Sequence, residues 1–217
     1  MKNESNALSW FSHISMFMFA AFCLIPFILL ISASLTDQNA ITAEGYSFIP
    51  QTFSIDAYTY LLDRGTDIAR AYGVTVFITV VGTAAGLTLT TLLAYPLSRK
   101  ETPHRFLIMF IVFFTMLFHG GLVPSYLVYT QLFDMKNTIW ALIVPGLLTN
   151  GFYVMMMRTF FSTTVPPALI ESAQLDGASE YRTLWSVVLP LSTPVLATVG
   201  LFTCIMYWND WQNGMIY

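Results

Sequence analysis

The 21 charged residues leave five long stretches without Asp, Glu, Lys or Arg, at 5–36, 71–98, 106–133, 137–157 and 183–209. A helix rises about 1.5 Å per residue and needs about 20 apolar residues to cross a hydrocarbon core of about 30 Å. Spanning helices are therefore expected at roughly 13–33, 74–95, 106–123, 139–158 and 191–208. Only 10% of the residues are charged, against about 25% in soluble domains, which places the chain in lipid. The expected fold is all-α, a polytopic transmembrane helical bundle forming one domain over 1–217.

The run from Ile14 to Ile31 exceeds the core of a secretory signal, is led by Lys2 against Glu4, and is followed by four further runs, so it is read as a retained first span. Cys23 and Cys204 lie in separate apolar runs with no CxxC or metal-ligand spacing and are read as packing residues. With the amino terminus inside the cell, Lys2, Arg99, Lys100, Arg105, Arg158 and Arg182 fall on the cytoplasmic side, and Arg64, Arg70 and Lys136 outside. The short 99–105 connection holds three cations beside only Glu101, the kind of loop that the positive-inside rule weighs most. Residues 36–71 then form an external loop, serving as a folded cap or as a partner surface.

Within the spans, Gly82 and Gly86 have the spacing that lets a neighbouring helix approach closely. Pro96 marks the cytoplasmic end of the second span. Gly120, Gly121 and Pro124 reverse the chain outside, next to His119. Pro145, Gly146, Thr149, Asn150 and Gly151 cluster inside the fourth run. Pro145 frees a carbonyl one turn earlier, for which a water, a hydroxyl or another helix must provide a donor. Asn150 is expected to face the bundle interior, where it lines a polar path or bonds across helices; Tyr153 is placed on the same path. Trp208, Asn209 and Trp211 offer surfaces for a glycan or act as interfacial anchors.

The segment from Thr163 to Leu191 is the most informative. Thr163 or Thr164 can cap a helix, with Pro166 or Pro167 in its first turn. Ala168 to Leu175 makes about two turns, too short to persist alone in water, and Asp176 before Gly177 provides a left-handed stop. Leu169, Ile170 and Ala173 form a small apolar face suited to a protein groove. A second amphipathic stretch, with Tyr181, Leu184, Trp185 and Val188, follows a cap at Ser179 and lies at the membrane surface before Pro190. Pro194 opens the next span, with Ser192 or Thr193 as its cap.

Glu171, Ala173, Asp176, Gly177, Ala178, Leu189, Pro190 and Pro194 match in order and spacing the EAA loop of binding-protein-dependent ABC importer permeases. The chain resembles that family over roughly 45–217, and the oligosaccharide-uptake class most closely; Ser172 departs from its frequent alanine. The resemblance implies a coupling loop over 163–191 whose helix enters a cleft on a separate ATP-binding subunit. Glu171 would lie near a basic group there, with Ala173 and Ala178 at close approach, Asp176 as a polar contact and Gly177 at the bend. It further implies a second homologous permease subunit, an extracytoplasmic solute-binding protein, residence in a prokaryotic inner membrane, and a sixth span beyond the five present.

The chain has no GxxxxGKS/T, HExxH, GxSxG or CxxC motif, so no catalytic residue, cofactor or metal site is expected and ATP hydrolysis is assigned to a partner. Its cations form no stripe that would grip nucleic acid. A secondary transporter would need ionisable groups at midmembrane depth, and the five runs hold no Asp, Glu, Lys or Arg. A membrane anchor without a pore is the third class, against which Asn150 and the helix breaks argue mildly. Within the importers, a polyamine, amino acid or phosphate is the alternative to a sugar.

Overall fold

A computed structural model describes residues 2–146 and 148–217, with side chains from residue 8 onward. The described residues are helical, apart from turns and one isolated antiparallel bridge between Thr36 and Phe53. The chain divides into two compact units, 1–71 and 72–217.

The first unit holds α1 (Lys2–Ser34), α2 (Gln38–Glu44), α3 (Asp56–Asp63) and the first turns of α4 (Gly65–Ser98). Helix α1 has Pro26 in its interior and displays Phe11, Phe17 and Phe22 at more than 70% exposure, as suits a helix whose solvent is lipid. The loop that follows is folded. Asp37 accepts from the Asn39 and Ala40 N–H groups to cap α2. Its own N–H donates to the Thr52 carbonyl at 3.1 Å, and Ser54 N–H donates to the Leu35 carbonyl at 2.9 Å. The Ser34 and Tyr58 hydroxyls meet at 2.9 Å, which ties α3 to the end of α1.

In the second unit, α4 continues to Ser98 and α5 (Arg105–Leu117) follows. The third span, expected as continuous to 123, stops at Leu117: Gly121 takes φ +85°, and α6 (Leu122–Leu127) with a π turn to Leu132 leaves at 115° to α5. The glycine turn lies inside the apolar run because a glycine reverses the chain regardless of hydropathy. The fourth run, expected as one helix over 139–158, is also interrupted. It has a 3₁₀ turn at Ile139–Leu142, Gly146 at φ +71°, and a helix α7 that starts only at Gly151 and runs to Thr164. Pro145 cannot donate to a helix and Asn150 caps the next one. Carbonyls of the interrupted stretch find donors: Tyr207 Oη donates to the buried Ile143 oxygen at 2.9 Å and Asn213 Nδ2 to that of Pro145 at 3.4 Å.

After α7 come α8 (Pro167–Leu175), α9 (Glu180–Thr183) with a π turn to Val188, α10 (Leu189–Leu191), α11 (Thr193–Trp208) and α12 (Gln212–Ile216). The segments on either side of Ser192 are bent by 86°, and Pro190 and Pro194 flank that elbow. Ser192 is fully buried at the N-cap of α11 without a side-chain capping bond, so the expected cap is not made. Among the described residues, α1 and α4 are each long and apolar enough to cross a membrane, and two bent pairs pass the same test together. These correspond to the first, second, third and fifth expected spans.

The core runs along α7, where Val154, Met157 and Phe161 share one face and are at most 3% exposed. Ala94 and Leu97 from α4 and Val195 and Val199 from α11 complete it. Helices α4 and α11 meet at glycines: a Cβ at Gly82 would clash with the Tyr207 ring, and one at Gly86 would stand 3.1 Å from the Leu148 carbonyl oxygen and 3.5 Å from Thr203 Cγ2. Since Gly82 faces Tyr207 and Gly86 faces Thr203, the two helices run antiparallel in close contact. Gly151 similarly admits Met116 of α5.

Candidate functional site: the loop between α7 and α11

Pro166 occupies the N-cap of α8 and Pro167 its first turn, with no side-chain cap. Thr163 and Thr164 lie instead inside α7, where Thr163 Oγ1 bonds back to the Thr159 carbonyl. The prolines suffice, because the missing N–H and the preset φ fit a helix start. At the other end Gly177 has φ +79°. The Ala178 N–H donates to Ala173 O at 2.9 Å and the Gly177 N–H to Gln174 O at 3.0 Å, the paired bonds of a Schellman stop. Asp176 is the C-cap and Ala173 and Ala178 are half-buried, so four of the six expected coupling residues build or adjoin this turn.

The apolar side chains of α8 do not share one face. Ile170 is 5% exposed and joins the core with Leu184 and Val188, whereas Leu169 is 44% exposed and Leu175 is 89% exposed. Adjacent positions on a helix point about 100° apart, so Ile170 anchors α8 inward while Leu169 looks away. The second stretch divides likewise: Leu184 and Val188 are buried, Tyr181 and Trp185 exposed, and Ser179 caps α9 through Arg182 N–H. Glu171 and Asp176 are exposed, and their carboxylates have no partner among the described residues. Pro190, exposed in α10, sits at the elbow away from that turn.

A cavity of about 700 Å³ opens beside α8, lined by residues that include Pro96, Arg99, Glu171, Gln174 and Tyr181. Arg99, whose side chain is 15% exposed, faces Glu101 at 3.6 Å. Arg105 Nη1 donates to the Arg99 carbonyl at 3.4 Å, and Arg158 Nε to that of Leu97 at 3.3 Å. The cationic connection thus folds onto the end of α4. One wall of the cavity is organised by Glu180, whose Oε1 accepts from Gln174 Nε2 and Oε2 from Tyr95 Oη, both at 2.7 Å. Sequence reasoning did not select this pair. The turn at Gly177 brings Gln174 and Glu180 within reach, a local signal, but Tyr95 lies 85 positions away and nothing near it marks the partnership.

Asn150 and Tyr153 are separate from this loop. Asn150 caps α7, its Oδ1 accepting from the Phe152 N–H at 2.9 Å. Tyr153 Oη donates to the Met206 sulfur at 3.2 Å, and its ring stacks on Phe202. Both hold α7 in place, the second against α11. Among the described residues no group of three His, Cys, Asp or Glu could hold a metal.

Residues 4–210 match the family described as the binding-protein-dependent transport system inner membrane component. The chain is 41% identical over 201 residues to the polygalacturonan/rhamnogalacturonan transport system permease protein YtcP of Bacillus subtilis (strain 168), covering 92% of this chain and 68% of that protein. It is 40% identical to the protein LplC of the same organism over 197 residues, 91% of this chain and 65% of that one. Among solved structures it is similar to a chain of a bacterial ABC transporter involved in the import of the acidic polysaccharide alginate. That likeness has a TM-score of 0.82 and 30% identity, over 94% of this chain and 72% of the other. The chain therefore spans about two thirds of the length of these two relatives.

Proposed function

The chain belongs to the binding-protein-dependent transport system inner membrane component family, and we propose that it is a transmembrane permease subunit of an ATP-driven ABC importer for a sugar or oligosaccharide. An external binding protein delivers the solute, a second homologous permease completes the pathway, and a separate ATP-binding subunit supplies the energy. The polytopic domain over 1–217 lies in a prokaryotic inner membrane with its amino terminus and the 163–191 loop in the cytoplasm. The observation that carries this reading is α8: a nine-residue helix with a defined start and stop, held inward by Ile170 and offering Leu169, Glu171 and Leu175 outward. A helix so short is stable only when docked, and a nucleotide-driven partner shifts a conformational equilibrium only through contacts that differ between states.

A relative named for polygalacturonan/rhamnogalacturonan and a neighbour named for alginate favour an oligosaccharide rather than a polyamine, amino acid or phosphate. Asn150 and Tyr153 belong beside the solute route in this reading; the Asn150 side-chain nitrogen donates to none of the described residues and is free to meet a hydroxyl. In proteoliposomes holding both permeases, the ATPase and a loaded binding protein, labelled oligogalacturonate is expected to enter only with ATP inside. Glu171→Arg should cut that uptake more than about tenfold, since one lost or reversed charged contact is worth about 1.5–3 kcal/mol. Uptake that persists without ATP and follows a proton gradient would refute the assignment.

A further inference from the structure

We propose that Glu180 is a positioning residue that carries movement of α8 to α4, an inference that rests on the reading of α8 as the coupling helix. Ile170 packs in the same apolar cluster as Tyr95, Leu184 and Val188, which holds α8 against the bundle. Apolar contact is non-directional, and by itself it lets a short helix slide. The Glu180 carboxylate adds direction. One oxygen takes the Gln174 amide from α8 and the other the Tyr95 hydroxyl from the end of α4, each at 2.7 Å. Hydrogen bonds to an ionised acceptor are shorter and about twice as strong as neutral ones, so a displacement of Gln174 is passed to Tyr95.

Tyr95 is well placed to receive it. Its side chain is only 6% exposed. The same end of α4 is tied to α7, because Arg158 Nε donates to the Leu97 carbonyl. Further along α4, Gly82 and Gly86 lie against Tyr207 and Thr203 of α11. A pull on α8 therefore has a continuous hydrogen-bonded and close-packed route to the interface between α4 and α11.

The test uses the complete transporter in proteoliposomes and reads solute moved per ATP hydrolysed, together with the amount of ATPase subunit that co-purifies. Glu180→Ala and Tyr95→Phe should each lower the ratio about tenfold, the size of one lost bond to a charged group, while co-purification is unchanged. Glu180→Gln keeps an acceptor for Gln174 and a polar partner for Tyr95, and should stay within about threefold of the wild type. The double variant Glu180→Ala, Tyr95→Phe should be no worse than Glu180→Ala alone, because both act on one linkage. Wild-type ratios in Glu180→Ala and Tyr95→Phe would overturn the proposal, as would loss of assembled complex in every variant with the ratio intact. If Glu180→Ala fails to assemble, Tyr95→Phe decides, since it removes only a hydroxyl. Failure of the coupling-helix reading looks different: the wild-type chain would then co-purify no ATPase subunit.

Discussion

Replacing Gly82 with leucine is expected to abolish accumulation of the folded protein, and Gly82→Ala to lower its melting temperature in detergent. The first side-chain carbon would clash with the Tyr207 ring, and neither helix can retreat cheaply. Tyr207 is 2% exposed, and its hydroxyl donates to the buried Ile143 carbonyl; pushing the ring aside breaks the bond that satisfies the interrupted fourth run. Overpacking costs about 1–3 kcal/mol, and an orphaned buried carbonyl adds about 1–3 kcal/mol. The cause can be isolated with Tyr207→Leu, which makes room but leaves the carbonyl without its donor. Gly82→Ala should then cost markedly less in the Tyr207→Leu background than alone, the non-additivity of neighbours in contact. Equal melting temperatures for Gly82→Ala and the wild type would mean that α4 and α11 do not meet at this glycine.

The second large effect is expected at Gly177, where valine should cut coupled transport at least about tenfold while leaving the spans folded. Its φ of +79° costs an L-residue about 1–2 kcal/mol, and a β-branched side chain suffers most. The strain falls on the Ala178 to Ala173 and Gly177 to Gln174 bonds that end α8. A nine-residue helix has little cooperative reserve, so losing its stop unravels the surface it presents. Since about 1.4 kcal/mol is tenfold in a population, transport should fall at least about tenfold. Gly177→Asn, which tolerates the left-handed region, should retain much more activity than Gly177→Val. The readouts are uptake in proteoliposomes and ATPase subunit recovered with the purified chain. Gly177→Val with undiminished uptake would remove the mechanical role of the turn.

Much of this arrangement was visible in the residues, where local chemistry decides the outcome. Pro167 at the start of α8 and Gly177 at its end act through their own backbone geometry, Ser179 at the start of α9 through a hydroxyl that caps the N–H three residues on, and each stands as expected. Gly82 and Gly86 announced a close helix contact, though not that Tyr207 and Thr203 would make it. The structure departs from expectation where a charge-free run does not form a continuous helix. A lack of charge permits a span but does not enforce one; Gly121 and Gly146 take positive φ inside such runs, and Pro145 withholds a donor. The interruption in the fourth run survives because Tyr207 and Asn213, more than sixty positions away, supply the missing bonds. The same distance hid the Tyr95 and Glu180 pair. The apolar face expected on α8 divides for another reason: Leu169 and Ile170 are both apolar, and only packing decides which of two neighbours turns inward.

In the proposed transporter, α8 delivers force from an ATP-hydrolysing subunit to the helical bundle. The most direct test places a cysteine at Leu175, 89% exposed on α8, and applies a short thiol crosslinker to the assembled transporter. An adduct with the ATPase subunit is expected, its yield changing when ATP binds, and no labelling of that cysteine by a membrane-impermeant reagent added outside intact cells. Labelling from outside, with no ATPase adduct in any nucleotide state, would refute the coupling role of α8.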